Sequence, residues 1–489
     1  MEPAQQPSNL KQKAIKGVFW SAIESWGRQL ISLIVFFILA RLLSPQTFGL
    51  VALSSVFIAF LQVFVDQGFT QAIVQRHNLE SEHLDTAFWT NLGISLILTT
   101  LCFSSADLIG NFFKEPQIIP IIRCFSLNFI IQAFISVQNA IFERKLAFKT
   151  LATRSLIAVI VGGIVGVTMA FMGFGVWSLV GQQLSNSLAA VLVMWRVSDW
   201  RPRFKFSPKH FKELFSFGVS VVGMNLAFFI SRRSDDFFVG YFLGSTALGY
   251  YSVGYRVFSI LTELLTSVLS KVTLPTFARL QKDPARLRSA LYQAIQLSSL
   301  ITFPGFLVTS ILAPELIQLV FGEKWLPSIP VMQALNLAGI GIAYFYFTGS
   351  VLMAIGKPSL KLALDLLQAM TNIIGFALAV KWGIVAVAYA FVIRLYLIAP
   401  LNIWIIWKQI NINVFTFLRQ GATALGGTVA VILTILSIKY FLGDSFSPLV
   451  IVSISVLAGL IVYISSIFLL APKLFWQLVN IVRPAQQIQ

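Results

Sequence analysis

Long apolar stretches separated by short polar segments make up most of this sequence. Between Val18 and Leu470, about fourteen stretches of about 20 or more mainly apolar residues follow one another, which is the length that a helix needs to cross a bilayer. A helix satisfies its backbone hydrogen bonds within the segment, as the hydrocarbon core demands. The pattern therefore predicts an all-α polytopic membrane protein. The predicted spans are residues 18–43, 48–74, 85–109, 117–140, 152–172, 175–195, 213–240, 249–274, 289–313, 328–354, 360–380, 383–407, 417–439 and 447–470.

The composition leads to the same class of protein. Hydrophobic residues make up 57% of the 489 positions, and only 11% are charged. This is too little polar side-chain material to cover a soluble globule of this length. The net charge of +17 would favour nucleic-acid binding in a soluble protein. Here the basic residues cluster in predicted inside loops beside anionic lipid head groups, so we expect the lipid bilayer as their partner and no nucleic acid.

The distribution of Lys and Arg predicts the orientation. If the N-terminus is cytoplasmic and every stretch crosses, the inside segments hold about 24 of the basic residues and the outside loops about five, which is the positive-inside bias. Both termini are then expected in the cytoplasm, with the spans in the plasma membrane. The first stretch is too long for the apolar part of a cleavable signal, so we interpret it as the first span.

Two internal matches predict a duplicated architecture. Residues 37–50 align without gaps with residues 237–250, and residues 174–179 align with residues 382–387 in the same order. We therefore predict a six-helix lobe at residues 1–208, a second at 209–410 in the same direction, and two additional helices with a cytoplasmic tail at 411–489. Parallel repeats of this kind are one of the plans of secondary transporters.

Charged residues inside the predicted spans are the candidate functional residues. A charge near the bilayer centre costs at least about 2.5–3.5 kcal/mol on the insertion scale, so these side chains are expected to face a protein interior or a wet cavity. Arg394 lies near the centre of its span, where it cannot easily reach water, and is the strongest candidate. The others are Arg28, Arg123, Arg232, Arg233, Arg256 and Lys271 among the bases and Glu24, Asp66, Asp235, Asp236, Glu263 and Asp365 among the acids.

The residue types suggest the chemistry. Arginine binds phosphate through two parallel hydrogen bonds, so we predict a phosphate-bearing anionic substrate. The substrate-binding candidates are Arg28, Arg123, Arg232, Arg233, Arg256 and Arg394. Coupling to a proton or sodium gradient is plausible, with Glu24, Asp66, Glu263 and Asp365 as candidates, although Glu24 and Arg28 could equally form a structural ion pair on one helix face.

We expect neither a cofactor nor a metal site. The three histidines of the chain, His77, His83 and His210, all fall in predicted inside loops. Histidines in such loops usually have a surface role, and that is the expectation for each of them. The two cysteines fall inside predicted spans and indicate neither a disulfide framework nor a metal centre.

Several short motifs resemble one family. Residues 41–45, 48–50, 66–69, 85–89, 173–177, 201–203, 215–218, 240–251 and 275–280 are similar to the polysaccharide transporter family of bacterial flippases. Within it the chain is most similar to the colanic acid and teichuronic acid exporters. These belong to the multidrug/oligosaccharidyl-lipid/polysaccharide exporter superfamily, together with multidrug and toxin extruders and the lipid II flippase.

The resemblance implies a function as well as a fold. It implies a flippase that moves an undecaprenyl-diphosphate-linked oligosaccharide from the inner to the outer leaflet by alternating access of two lobes. The oligosaccharide would be a repeat unit of lipopolysaccharide, capsule or exopolysaccharide. A polysaccharide polymerase and glycosyltransferases are the partners that such a role suggests.

Three alternatives remain at this point. A drug/cation antiporter of the same superfamily would need an acidic, aromatic cavity, which the deep arginines disfavour. A membrane polysaccharide polymerase or ligase would present a sizeable outer loop, whereas the longest predicted outside loop is residues 314–327. A passive scaffold would not require charges in the membrane. The sequence therefore favours a transporter and not an enzyme.

Overall fold

A computed structural model describes residues 7–65, 69–76, 78–443 and 445–482. Within these residues the chain is helical and contains no β-strand. The backbone contacts group the chain into two compact units, Met1–Gly249 and Tyr250–Gln489. The division into lobes at residues 1–208, 209–410 and 411–489 stays a prediction, but the all-α architecture is confirmed.

The first unit is built from long helices and one short one. Helix α1 packs on α6, α6 on α7, and α5 on both α4 and α7. Helix α8 is interrupted at Gly244, where φ is +84°, so two helices join there. The helices are α1 (Pro7–Leu42), α2 (Pro45–Val65), α3 (Phe69–Gln75), α4 (Ser81–Phe112), α5 (Ile118–Arg144), α6 (Phe148–Phe171), α7 (Val176–Val197) and α8 (Pro208–Leu280), which continues into the second unit.

The second unit places α9 against α12 and α16, α13 against α14, and α16 against α17. Asp283 begins α9 by accepting hydrogen bonds from two backbone amides of its first turn, and Pro284 follows it, which is a favourable helix start. The helices are α9 (Pro284–Ile311), α10 (Ala313–Val320), a 3₁₀ helix (Glu323–Ser328), α11 (Ile329–Asn336), α12 (Ala338–Ala354), α13 (Pro358–Ala379), a 3₁₀ turn (Val380–Trp382), α14 (Ile384–Ile410), α15 (Val414–Arg419), α16 (Ala422–Leu442), α17 (Pro448–Leu470) and α18 (Pro472–Val482).

Every predicted span coincides with helix in the described residues. Ten helices there are long and apolar enough to cross a membrane, or eleven if the bent pair Glu323–Asn336 and Ala338–Ala354 forms one span. Helix α7 and the two parts of α8 occupy the other three predicted spans. The structure is therefore compatible with fourteen spans without fixing that number.

The helices expose large apolar side chains. On α17, for example, Leu457, Ile461 and Leu469 are 64%, 66% and 75% exposed. A contiguous apolar surface of this kind is uncommon on soluble monomers, and on a helix of 23 residues it fits the length of a membrane span. The protein is thus a multi-pass membrane protein.

The first internal match lies at a close helix junction. A Cβ atom on Gly49 would lie 1.6 Å from the carbonyl oxygen of Ser245, and one on Gly249 would lie 1.9 Å from that of Pro45. Gly49 and Gly249 are 200 residues apart, as are Pro45 and Ser245, which is the offset of the matched segments. Only glycine allows backbones to approach so closely, and the reciprocal contact is what a duplicated junction would produce.

The second internal match also has a structural counterpart. Gly175 immediately precedes α7 and has φ +55°, and Gly383 immediately precedes α14 and has φ +93°. Residues with side chains rarely adopt a positive φ. The matched segments therefore use a glycine for the same backbone turn before the corresponding helix.

Candidate functional site

A polar cavity of about 270 Å³ lies inside the first unit, among α1, α5, α6 and α7. Each of the four helices is mainly apolar but carries a few polar residues on the side that faces the other three. These polar side chains form the wall of the cavity. The polar lining includes Glu24, Arg28, Gln132, Arg154, Asn186 and Ser187. Two guanidinium groups and one carboxylate give this wall a net positive charge.

Glu24 is fixed by α6 and not by its own helix. The hydroxyl of Ser155 donates to Glu24 Oε1 at 2.5 Å and accepts from Arg154 Nη2 at 2.7 Å. Arg154 Nη2 itself lies 3.9 Å from Glu24 Oε1, and Arg154 Nη1 donates to Asn139 Oδ1. The carboxylate of Glu24 is therefore held by a polar network from α6, and Arg154 is its ion-pair partner.

Arg28 has a different position in the same cavity. It lies one turn after Glu24 on α1 and is exposed, and no ion pair joins it to Glu24 in the described part of the chain. The structural ion pair considered from the spacing of these two residues is thus replaced by the pair between Glu24 and Arg154. The guanidinium of Arg28 stays available at the cavity wall.

Arg394 lies on α14 in the second unit and is only 8% exposed. Its Nε donates to Asn372 Oδ1 at 2.7 Å, and its Nη1 lies 3.4 Å from Gln368 Oε1. The guanidinium also lies over the ring of Phe391, 5.1 Å from the centroid. Among the described residues no carboxylate lies within ion-pair distance of it. Neutral amides orient the group but do not cancel its charge.

The other candidates have varied surroundings. Arg123 forms an ion pair with Asp107 at 2.7 Å and lies over the ring of Phe103. Arg233 pairs with Asp236 at 2.9 Å on the same helix.

The remaining candidates are less enclosed or outside the described part. Asp365 pairs with Lys361 and has a half-exposed side chain, Glu263 is exposed and Arg256 is half-buried. Asp66 and the side chain of Arg232 lie outside the described residues. The structure therefore gathers only Glu24 and Arg28 of these candidates into one cavity within the first unit.

The sequence reasoning missed Arg154 and misjudged two histidines. Arg154 lies just inside the predicted fifth span, and this position could have identified it as a charged residue within a span. His83 and His210 are not surface residues, since they are only 1% and 6% exposed. His77 lies outside the described residues. Nothing in the sequence spacing could have shown that His83 and His210 meet, because they lie on different helices.

The sequence of the chain matches the profile of a protein family. The family is described as polysaccharide biosynthesis protein, and the match covers residues 38–330. The chain belongs to this family. The resemblance read from the short motifs is thereby confirmed.

Several relatives with assigned roles are similar over much of their length. The succinoglycan biosynthesis transport protein ExoT of Rhizobium meliloti is 29% identical over 66% of this chain and 65% of its own length. The lipopolysaccharide biosynthesis protein WzxC of Escherichia coli is 27% identical over 71% of each chain. The teichuronic acid biosynthesis protein TuaB of Bacillus subtilis is 25% identical over 85% of this chain and 86% of its own. The chain thus spans slightly less than two thirds of ExoT and more of the other two.

Solved structures share the fold. The lipid II flippase MurJ in an inward closed conformation superposes with a TM-score of 0.73, 16% identity, and coverage of 94% of this chain and 99% of MurJ. An inward-facing multidrug resistance transporter of the MATE family gives a TM-score of 0.63 at 16% identity, covering 78% of this chain and 94% of its own. The predicted MATE-like fold is confirmed.

Proposed function

We propose that this protein is a flippase that moves an undecaprenyl-diphosphate-linked oligosaccharide across the plasma membrane by alternating access. The observation that carries the proposal is Arg394. In a chain of this family, a membrane helix buries a guanidinium whose described hydrogen-bond partners are the neutral amides of Asn372 and Gln368. An uncompensated cation in such a place is costly unless a ligand or a wet cavity compensates it.

The arrangement suits a diphosphate. Arg394 uses Nε and Nη1 for the two amides, which leaves Nη2 and part of the planar fork for a phosphate oxygen. Arg28 offers another guanidinium, which is exposed, at the cavity of the first unit. A hydrophobic cation would be repelled by these groups, so the geometry favours an anionic substrate over the cationic drugs of an antiporter.

The names of the relatives support the class of substrate. Succinoglycan, lipopolysaccharide and teichuronic acid are the products named for ExoT, WzxC and TuaB, and all three are surface glycans. We infer that the oligosaccharide of this chain is a repeat unit of lipopolysaccharide, capsule or exopolysaccharide. Glycosyltransferases that make the unit and a polymerase that joins units are the partners this role implies, with both termini of the chain in the cytoplasm.

Glu24 is the candidate for coupling that the geometry favours. A carboxylate held by Ser155 and Arg154 at a polar cavity can exchange a proton or accept Na⁺ only if its ion pair rearranges. Asp66, Glu263 and Asp365 stay candidates, but Asp365 is half-exposed and paired with Lys361. We propose H⁺ or Na⁺ coupling through Glu24.

Translocation in proteoliposomes tests the function. Liposomes containing the purified protein receive a radiolabelled undecaprenyl-diphosphate oligosaccharide, and the label accessible to an external glycosidase is followed with and without an imposed ion gradient. We expect gradient-dependent translocation that is lost when the lipid carries a neutral head group instead of diphosphate. Translocation of a cationic dye but not of the glycolipid would overturn the proposal in favour of an antiporter.

A further inference from the structure

Two buried histidine rings lie in contact, tilted by 47°, at the end of the first unit that is predicted to face the cytoplasm. His83 is the third residue of α4, and His210 is the third residue of α8. Their ring centroids are 4.0 Å apart, and both residues are less than a tenth exposed. The contact thus places two buried imidazoles side by side, and imidazole is the commonest metal ligand.

A carboxylate completes a set of ligand atoms. Glu80 Oε2 lies 3.5 Å from His210 Nε2, and one ligand atom each from Glu80, His83 and His210 can be chosen so that all lie within 4.8 Å of one another. Ligands about 2.0–2.1 Å from a tetrahedral zinc ion lie about 3.3–3.4 Å apart. The longest separation in the cluster would therefore have to shorten by up to about 1.4 Å to form a tetrahedral zinc site.

The hydrogen bonds of His83 fix a suitable tautomer. The backbone N–H of Glu80 donates to Nδ1 of His83 at 3.2 Å, so Nδ1 carries the lone pair. The opposite nitrogen, Nε2, then carries the proton and lies 3.4 Å from Glu213 Oε2. A histidine whose second nitrogen faces a carboxylate is the usual outer partner arrangement of metal-bound imidazoles. Metal binding through Nδ1 would replace the hydrogen bond from Glu80.

His210 supplies an independent indication. Its side chain is only 8% exposed, yet Nδ1 has no hydrogen-bond partner among the described residues. The nearest carboxylate oxygen of an ion-pair partner, Glu82 Oε2, is 3.9 Å away, beyond hydrogen-bond distance. This buried nitrogen has no described partner, and the carboxylates of Glu82 and Glu80 lie near the two nitrogens of the same ring. The imidazole can therefore bind a cation.

The charges around the cluster permit a divalent ion. Arg76 acts on His83 electrostatically, and its Nη2 is paired with Glu213. Lys205 lies 3.5 Å from Glu82 and is exposed. Three carboxylates, Glu80, Glu82 and Glu213, thus face the two histidines, and the bases around them are Arg76 and Lys205, which have acidic partners, and the exposed Lys209.

We propose that Glu80, His83 and His210 form a binding site for a divalent transition metal ion, with Zn²⁺ as the best match. Two imidazoles and one carboxylate, with water in a fourth position, are a common zinc ligand set, whereas Mg²⁺ and Ca²⁺ prefer sets made of oxygen alone. The ion would tie the start of α4 to the start of α8 within the first unit. This site is separate from the arginines of the proposed transport function.

Metal binding by the full chain tests the site. The protein is purified in detergent without a polyhistidine tag, stripped with a chelator, and titrated with Zn²⁺ or Co²⁺. We expect about one ion per chain and the visible absorption bands of tetrahedral Co²⁺. His83→Gln and His210→Gln should each weaken binding by at least about 100-fold, and Glu213→Gln, which removes only the outer partner, by about 10-fold.

Two further variants keep the test decisive. Glu80→Gln alters an exposed side chain, so it should fold like the wild type and still lose the tetrahedral Co²⁺ bands even if a histidine variant fails to fold. Glu323→Gln, an exposed carboxylate in the second unit, should bind as the wild type does. The proposal would be overturned if the stripped wild-type protein bound no ion in the titration. Equal affinity of the wild type and Glu80→Gln for Zn²⁺ or Co²⁺ would also overturn it.

Discussion

Each unit holds an arginine that lies mostly inside the protein, and the two have opposite surroundings. In the first unit, Arg154 lies 3.9 Å from the carboxylate of Glu24 and shares Ser155 with it. In the second unit, Arg394 contacts the amides of Asn372 and Gln368 and the ring of Phe391, without a carboxylate among its described ion-pair partners. One site is internally neutralised, and the other is oriented but left charged.

This difference predicts different behaviour of the two sites. A charge that meets its counter-ion inside the protein needs no ligand, whereas an oriented and uncompensated charge gains most when an anion arrives. We therefore expect variants of Arg394 to affect transport more than folding, and variants of Glu24 or Arg154 to affect both.

The largest expected effect is on transport by Arg394→Ala. Hydrogen bonds to charged groups contribute about 1.5–3 kcal/mol, so the export rate should fall about 10- to 150-fold while the protein still reaches the membrane. Arg394→Lys should keep part of the rate as a point charge without the fork. Glycolipid translocation in proteoliposomes is the measurement.

A matched arginine provides the control for this variant. Arg286 is 79% exposed and paired with Asp283 at the start of α9, so Arg286→Ala should transport at nearly the wild-type rate. A wild-type rate in Arg394→Ala would show that the anion is held elsewhere, and the contrast between Arg154 and Arg394 would lose its functional meaning.

The first unit also contains the reciprocal junction of Gly49 and Gly249. Gly49→Ala would place a methyl group 1.6 Å from a carbonyl oxygen, and the helices would have to separate at a cost of about 1–3 kcal/mol or more. We expect a clearly lower midpoint of thermal unfolding in detergent, and the same for Gly249→Ala.

Gly93 is the matched control for the junction. A Cβ atom there would meet nothing within 4 Å, and Ala is the better helix former by up to about 1 kcal/mol. Gly93→Ala should therefore be neutral or stabilising. If Gly249→Ala were tolerated while Gly49→Ala was not, the two halves of the junction would not be equivalent, and the duplication would explain only the sequence match.

Much of the fold could be predicted from the sequence because lipid imposes a simple rule. Each apolar stretch long enough to span a bilayer became helix, and the glycines of both internal matches lie at corresponding junctions. The sequence also predicted that Arg394 faces a protein interior or a wet cavity, because its position near the centre of a span keeps it from water outside the membrane.

The partners of the charged residues could not be predicted. Asn372 and Gln368 lie on α13, and Ser155 lies far from Glu24 in the chain, so these contacts depend on how helices pack against each other. Spacing within one helix suggested a pair of Glu24 with Arg28, but α6 supplies the nearer cation. The burial of His83 and His210 has the same origin, since loop residues become buried only when two helix starts meet.

Glu24→Gln tests the ion pair of Glu24 with Arg154. It should lower the stability of the protein less than Gly49→Ala does. Removing the carboxylate leaves Arg154 without its ion-pair partner, but both side chains are partly exposed, at 25% and 18%, so water reduces the loss. A double-mutant cycle with Arg154→Gln should give a coupling of about 1 kcal/mol in unfolding free energy. A coupling near zero would mean that the two residues merely adjoin, and Arg154 would then resemble Arg394 as an uncompensated charge.

The smallest expected effect belongs to Asp365, an acid on the same helix as the partners of Arg394. Its carboxylate pairs with Lys361 one turn earlier, and the two side chains are 52% and 36% exposed. Exposed pairs at this spacing contribute about 0.3–0.5 kcal/mol, so Asp365→Asn should barely change the unfolding midpoint, and export should stay close to the wild-type rate at every imposed gradient. The measurement is translocation at several ion gradients, with Asp283→Asn as a comparison for an exposed acid outside the spans. Loss of the gradient dependence in Asp365→Asn alone would instead assign ion coupling to Asp365 and place both transport functions, anion binding and coupling, in the second unit.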